Sequence, residues 1–176
     1  MLPRPGEVLR LKFFAEVYPL MRMDLEPMDK LKVLFLCTGN SCRSQMAEGW
    51  ARQLKSDSID AYSAGIEPHG MNENALAVMK EVGVDITSQR SKNVFELRDV
   101  PFDFVVTVCD SAHETCPVFP AKTEVIHVGF DDPPRLSKTA KTEAEALGHY
   151  RRVRDEIRSF IETLPARLRA GKASHD

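Results

Sequence analysis

No stretch restricts the possible folds of this chain more than Val33 to Gln45, Val-Leu-Phe-Leu-Cys-Thr-Gly-Asn-Ser-Cys-Arg-Ser-Gln. An apolar run from Leu31 to Leu36 stops at Cys37. A short polar loop follows, and Arg43-Ser44 opens a stretch with Met46, Ala47, Trp50, Ala51 and Leu54 at helical spacing. That pattern reads as strand, tight loop, helix.

Such a loop is a receptacle for an anion. Backbone N–H groups entering a helix N-terminus have no intrahelical partners, and the helix dipole adds positive charge at the same point. Gly39 and Asn40 both tolerate backbone angles that let the chain wrap closely around an oxyanion. Arg43 offers a planar fork of donors suited to two oxygens of a tetrahedral anion. The anion-binding set is therefore Thr38, Gly39, Asn40, Ser41, Cys42 and Arg43, with Cys37 beneath the anion. A free thiol titrates near about 8.5, and a helix N-terminus beside an Arg lowers that to roughly 3.5–7.5. Cys37 is expected to be a thiolate, with the Ser44 hydroxyl placed to donate a hydrogen bond to it. The bland alternative is a buried Cys ending a strand, with Arg43 in a surface ion pair.

The rest of the chain alternates strand and helix. Strands are expected at Ile59–Ala64, Phe104–Val108 and Val125–Val128. Helices are expected at Glu73–Val82, Ser91–Leu97 and Lys141–Leu164, the last with Tyr150, Val153, Ile157, Phe160 and Ile161 on one face and stopped by Pro165. Pro133-Pro134 is expected to end regular structure after Asp132. The predicted fold is α/β, a single open, mainly four-stranded parallel sheet with helices on both faces. Such sheets bind ligands at the carboxyl ends of their strands, where Cys37 and Cys109 both fall.

At 176 residues the chain is one domain or one domain with an extension. Residues 1–29 read as a leader, either poorly ordered or a short amphipathic helix. Lys12 and Glu16 interrupt its apolar part, so it is neither a signal peptide nor a membrane span. The domain is expected over 30–164, with 165–176 a tail. A net charge of -2 favours neither nucleic acid nor an acidic membrane as partner. Four cysteines are too sparse for a secreted disulfide scaffold and fit a reducing cytoplasm.

Cys109 and Cys116 are separated by six intervening residues on one loop, Cys-Asp-Ser-Ala-His-Glu-Thr-Cys. Neither this pair nor Cys37 with Cys42 has the spacing of a structural zinc site, so no metal is expected. Two buried, inert thiols are the plain alternative. Thiol–disulfide exchange is the functional one, because three cysteines in series can carry an oxidation from the anion site outward. His113, between the pair, is at most a modulator of their ionisation, and Trp50 reads as core.

The segment Cys37-Thr38-Gly39-Asn40-Ser41-Cys42-Arg43-Ser44-Gln45-Met46-Ala47-Glu48 resembles the phosphate-binding loop shared by low-molecular-weight protein tyrosine phosphatases and thioredoxin-coupled arsenate reductases. The Cys109/Cys116 pair is similar to the reductases, since the phosphatases hydrolyse and need no relay. The resemblance implies a low-molecular-weight phosphatase-like fold and puts the general acid on Asp132, the Asp before Pro, leaving Asp131 as a turn or capping residue. It gives Cys42 no step. Where the phosphatases carry aromatic residues after Asp-Pro, Pro134-Arg135-Leu136 stands, and Gln45 replaces their usual proline. Both departures favour a small inorganic oxyanion.

The resemblance thus implies an arsenate reductase acting in arsenic detoxification, and a monomer is expected. Its catalytic residues would be Cys37, Arg43, Ser44, Cys109, Cys116 and Asp132, with no bound cofactor and reducing equivalents from thioredoxin. A single disulfide supplies the two electrons that As(V) requires, and the chain has no G-x-G-x-x-G fingerprint for a flavin or nicotinamide. The alternatives are a low-molecular-weight tyrosine phosphatase or small-phosphomonoester phosphatase, and a redox or oxyanion sensor. Some of these reductases hold potassium through residues corresponding to Asn40, Glu48, Ser63 and an acidic residue where Lys92 stands. An ammonium there would replace the ion, so no potassium requirement is expected; otherwise Lys92 is simply solvated.

Overall fold

The structure, a computed structural model, describes residues 29–109 and 117–172. Strand β1, Leu31–Cys37, lies at its centre. Val33, Leu34, Phe35 and Leu36 are all fully buried. A strand without polar alternation must be covered on both faces, and helices of a parallel sheet provide that cover. Each such side chain contributes about 1.5–3 kcal/mol relative to exposure.

After β1 come α1 (Arg43–Leu54), β2 (Ile59–Gly65) and α2 (Glu73–Glu81). Strands β3 (Phe104–Thr107) and β4 (Glu124–His127) follow. The chain then forms α3 (Pro133–Ser137), α4 (Glu143–Glu162) and α5 (Ala166–Lys172). The sheet is four-stranded and parallel in the order β2-β1-β3-β4. From β1 the chain crosses to β2 on one side and then to β3 on the other. The crevice between the β1 and β3 carboxyl ends is therefore a topological switch point, where open α/β sheets bind ligands. Leu36 pairs with Thr107 in the register, so Cys37 and Cys109 leave neighbouring strands at the same end.

Three expected elements differ. Asp132 stands at the N-cap position of α3 without a side-chain capping bond, and the prolines occupy the first helical positions, so Pro133-Pro134 opens a helix where it was expected to end structure. Proline is tolerated there because its missing N–H would have no partner in a helix's first turn. Only Val94–Leu97 of the expected Ser91–Leu97 helix forms, as one 3₁₀ turn; Asn93 accepts from the Phe95 N–H while Glu96 accepts from the Asn93 N–H. Beyond Pro165, α5 carries Leu168 into the core, so the expected tail is in part a packed helix. The leader through Met28 and the segment 110–116, with Cys116 and His113, lie outside the described residues. Among the described residues no helix is long and apolar enough to cross a membrane.

Candidate active site

Cys37 is the last residue of β1, and the chain turns over it before α1 begins at Arg43. Its sulfur accepts from the Asn40 N–H at 3.1 Å and lies 2.9 Å from Ser44 Oγ, as expected for Ser44. Burial pushes the Cys37 thiol up, against the opposing pull of Ser44 and Asn40, and charge on Cys109 adds to the rise. Burial therefore works against the expected thiolate, and the Ser44 and Asn40 hydrogen bonds work for it. Arg43, which was expected to lower the thiol pKa, is turned elsewhere. Its Nη1 donates to the Phe130 carbonyl at 2.9 Å, and its Nη2 lies 3.0 Å from Asp132 Oδ1. The proposed acid and the proposed anion clamp are therefore paired with each other. Asp131 pairs instead with Arg152 of α4 at 2.8 Å.

Asn40 organises the loop. It has φ +45°, the left-handed region that Asn tolerates better than most residues. Its Nδ2 donates to Ser44 Oγ and Ser63 Oγ, both at 2.9 Å, and its Oδ1 accepts from the Lys92 N–H at 2.9 Å. Gly39 does not play the conformational part its sequence suggests. It does not take a positive φ; rather, a Cβ there would lie 2.7 Å from the His69 ring nitrogen Nδ1. Gly65, which sequence reasoning passed over, ends β2 against the loop. A Cβ on it would meet the Thr38 carbonyl oxygen at 2.6 Å and the Asn40 nitrogen at 2.8 Å. Only register between β1 and β2, pairing Cys37 with Gly65, reveals that need.

Ser41 and Cys42 complete the loop; burial pushes the Cys42 thiol up, in keeping with a packing role. Cys109 is also buried, and its sulfur lies 3.5 Å from Thr38 Oγ1. Thr38, Arg43, Cys109, Phe130, Asp132 and Arg135 line a cavity of about 270 Å³. The structure thus brings together Cys37, Thr38, Arg43, Ser44, Cys109 and Asp132, and Arg135 stands at the cavity where an aryl-binding side chain would be needed. Cys116 lies outside the described residues.

Beside the loop, Ser63 Oγ donates to Glu48 Oε2. Lys92 Nζ approaches the same oxygen at 3.6 Å, and Arg52 bonds Glu48 Oε1. The Lys92 side chain is only 12% exposed and that of Glu48 2%, so Lys92 is not solvated. Burial lowers its pKa, while Glu48 opposes the shift. Among the described residues no three His, Cys, Asp or Glu side chains are grouped to hold a metal.

The family model for the low molecular weight phosphotyrosine protein phosphatases matches residues 32–174. The chain is 49% identical over 136 residues to an arsenate reductase of Halalkalibacterium halodurans, covering 77% of this chain and 96% of that protein. It is 49% identical over 140 residues to an arsenate reductase of Bacillus subtilis, covering 77% and 99%. A solved structure described as an arsenate reductase in the phosphate binding state superposes with a TM-score of 0.61 at 32% identity, over 78% of this chain and 98% of that one.

Proposed function

The chain belongs to the low molecular weight phosphotyrosine protein phosphatase family, and within it we propose that this protein is an arsenate reductase working through a relay of Cys37, Cys109 and Cys116. The carrying observation is the second thiol at the anion site: Cys109 sits at the mouth of the strand next to Cys37, against Thr38 of the anion loop. Hydrolysis of a phosphate ester has no use for it. The identity to arsenate reductases supports the same substrate.

Arsenate is bound by the loop N–H groups and by Arg43, which turns from Asp132 to the oxyanion. Cys37 sulfur passes its proton to an oxygen of the arsenate dianion and attacks As(V), with Ser44 and the Asn40 N–H holding the thiolate as it forms. Hydroxide leaves with a proton from Asp132, as water, and a Cys37–S–As(V) adduct remains. Cys109 sulfur then attacks Cys37 sulfur. The S–As bond breaks with its electron pair left on arsenic, so As(V) becomes As(III) and departs as arsenite. The two electrons come from the sulfurs, which are left oxidised as a Cys37–Cys109 disulfide. Cys116 attacks Cys109, releasing Cys37 as a thiol and leaving a Cys109–Cys116 disulfide, which an external dithiol reduces. The resemblance of the loop and the cysteine pair supports thioredoxin as that dithiol, and four sparse cysteines fit a reducing cytoplasm. A disulfide needs Cα atoms within about 7 Å, which three cysteines in series cannot all satisfy at once.

The test is NADPH consumption with arsenate, thioredoxin and thioredoxin reductase. Continuous consumption is expected. A burst of one equivalent per chain would mark a sensor, and no consumption with sustained ester hydrolysis would mark a phosphatase.

The Lys92 ammonium, buried against Glu48, takes the place of a cation beside the loop. Turnover is therefore expected to be unchanged when potassium is replaced by tetramethylammonium at constant ionic strength. Lys92→Met, which leaves Glu48 the Ser63 hydroxyl and Arg52 as partners, is expected to lower kcat/KM by about tenfold, less than the roughly 3–5 kcal/mol of wholly unpairing a buried charge. A severalfold stimulation of the wild type by potassium would contradict this.

A further inference from the structure

The anion loop is held from outside by groups that the chemistry above does not use. Gln45, in the first turn of α1 and fully buried, donates through Nε2 to the Asn40 carbonyl and to the Arg90 carbonyl, both at 3.0 Å. Gln89 donates through its own Nε2 to Gln45 Oε1 at 2.8 Å and to the Gln45 carbonyl at 3.1 Å. A primary amide carries two N–H bonds, so both glutamines have their donors fully committed. Next to them the Ser91 hydroxyl donates to the Gly39 carbonyl at 3.1 Å, and the His69 N–H donates to the same oxygen at 2.9 Å.

The consequence follows from the geometry of the peptide bond. In a trans peptide the C=O and the following N–H point in opposite directions. With the Gly39 carbonyl held outward, the Asn40 N–H faces inward, and it meets Cys37 sulfur at 3.1 Å. With the Asn40 carbonyl held outward by Gln45, the Ser41 N–H must face inward in the same way. The left-handed Asn40 lies between these two peptides, and such backbone persists only where its surroundings over-determine it.

We propose that Gln45, buttressed by Gln89, is the positioning residue that aims the Ser41 N–H into the anion site. Gln45 touches neither the reacting sulfur nor the cavity, and acts through the Asn40–Ser41 peptide. Gln89 acts one step further out, by fixing the Gln45 amide so that its donors, not its oxygen, face the two carbonyls. The inference rests on Cys37–Arg43 being an anion site, and it can be tested without turnover.

Inorganic phosphate should protect Cys37 from iodoacetamide, with modification read on the Cys37 peptide by mass spectrometry. In Gln45→Met, which keeps the side-chain length and removes the donors, half-protection is expected to need at least about tenfold more phosphate. Gln89→Met should need about threefold more. The double variant should be no worse than Gln45→Met, because Gln89 works only through Gln45. Without phosphate, the pH profile of Cys37 alkylation should stay that of the wild type, since the Asn40 N–H is held by other groups.

Three results would overturn the proposal: unchanged protection in Gln45→Met, full additivity in the double variant, or a pH profile that shifts together with protection, which would mean a generally loosened loop. If Gln45→Met does not fold, the half-exposed Gln89 decides alone, and wild-type protection in Gln89→Met overturns the proposal. A wild-type chain that phosphate does not protect removes the anion site itself and this inference with it.

Discussion

Cys109→Ser is expected to abolish sustained arsenate reduction, lowering steady turnover by at least about 10³-fold, while leaving p-nitrophenyl phosphate hydrolysis within about threefold of the wild type. The reason lies in which bonds each reaction breaks. Hydrolysis needs a nucleophile under the anion, a clamp and an acid; Cys37, Arg43 and Asp132 supply these without Cys109. Reduction requires a second sulfur to take Cys37 sulfur from arsenic, and a serine oxygen cannot form that disulfide. The substitution is also nearly isosteric in a buried position beside Thr38, so the loop should keep its shape. Parallel assays of arsenite release and p-nitrophenol release check this. Equal loss of both activities would mean that residue 109 supports the loop and does not relay.

Arg43→Lys carries the second large effect, a fall in kcat/KM of about 10²- to 10³-fold for arsenate and for p-nitrophenyl phosphate alike. The guanidinium has one nitrogen on the Phe130 carbonyl and another on Asp132. Its fork spans the backbone anchor and the acid, and the same planar edge meets two oxygens of a tetrahedral anion once it turns. An ammonium is a single point and cannot hold one contact while offering the other. Because Asp132 would then face a shorter, mobile charge, the acid should lose its fixed position as well. Steady-state kinetics at constant ionic strength give the measurement, and a lysine variant within fivefold of the wild type would show that charge alone suffices.

The parts of this site that depend on near neighbours in sequence are legible without coordinates. An apolar strand, a Gly-Asn turn and an Arg-Ser helix start prescribe the loop through local backbone preferences, and the thiol position follows. Strand–helix alternation likewise implies the parallel sheet. Proline misleads at Pro133 because the same missing N–H that breaks a helix interior suits a helix start. Arg43 was assigned its charge correctly but not its partner, because the pairing with Asp132 spans most of the domain. The need for Gly65 and the Gln45–Gln89 brace depend on segments far apart in sequence, and the Lys92–Glu48 contact is reachable from sequence only through the family resemblance. Gln45 is visible in the sequence only as a departure from the phosphatase pattern, and no local rule tells that its amide holds a carbonyl.

Peptide mapping of Cys116→Ser under non-reducing conditions, after one equivalent of arsenate, tests the central claim most directly. Without the third sulfur the relay should stop at its first disulfide. A Cys37–Cys109 cross-link is therefore expected together with one arsenite per chain. Arsenite release with Cys37 joined to Cys42, or with no cross-link to Cys109, would contradict transfer between the two strand ends and leave the reduction to another path.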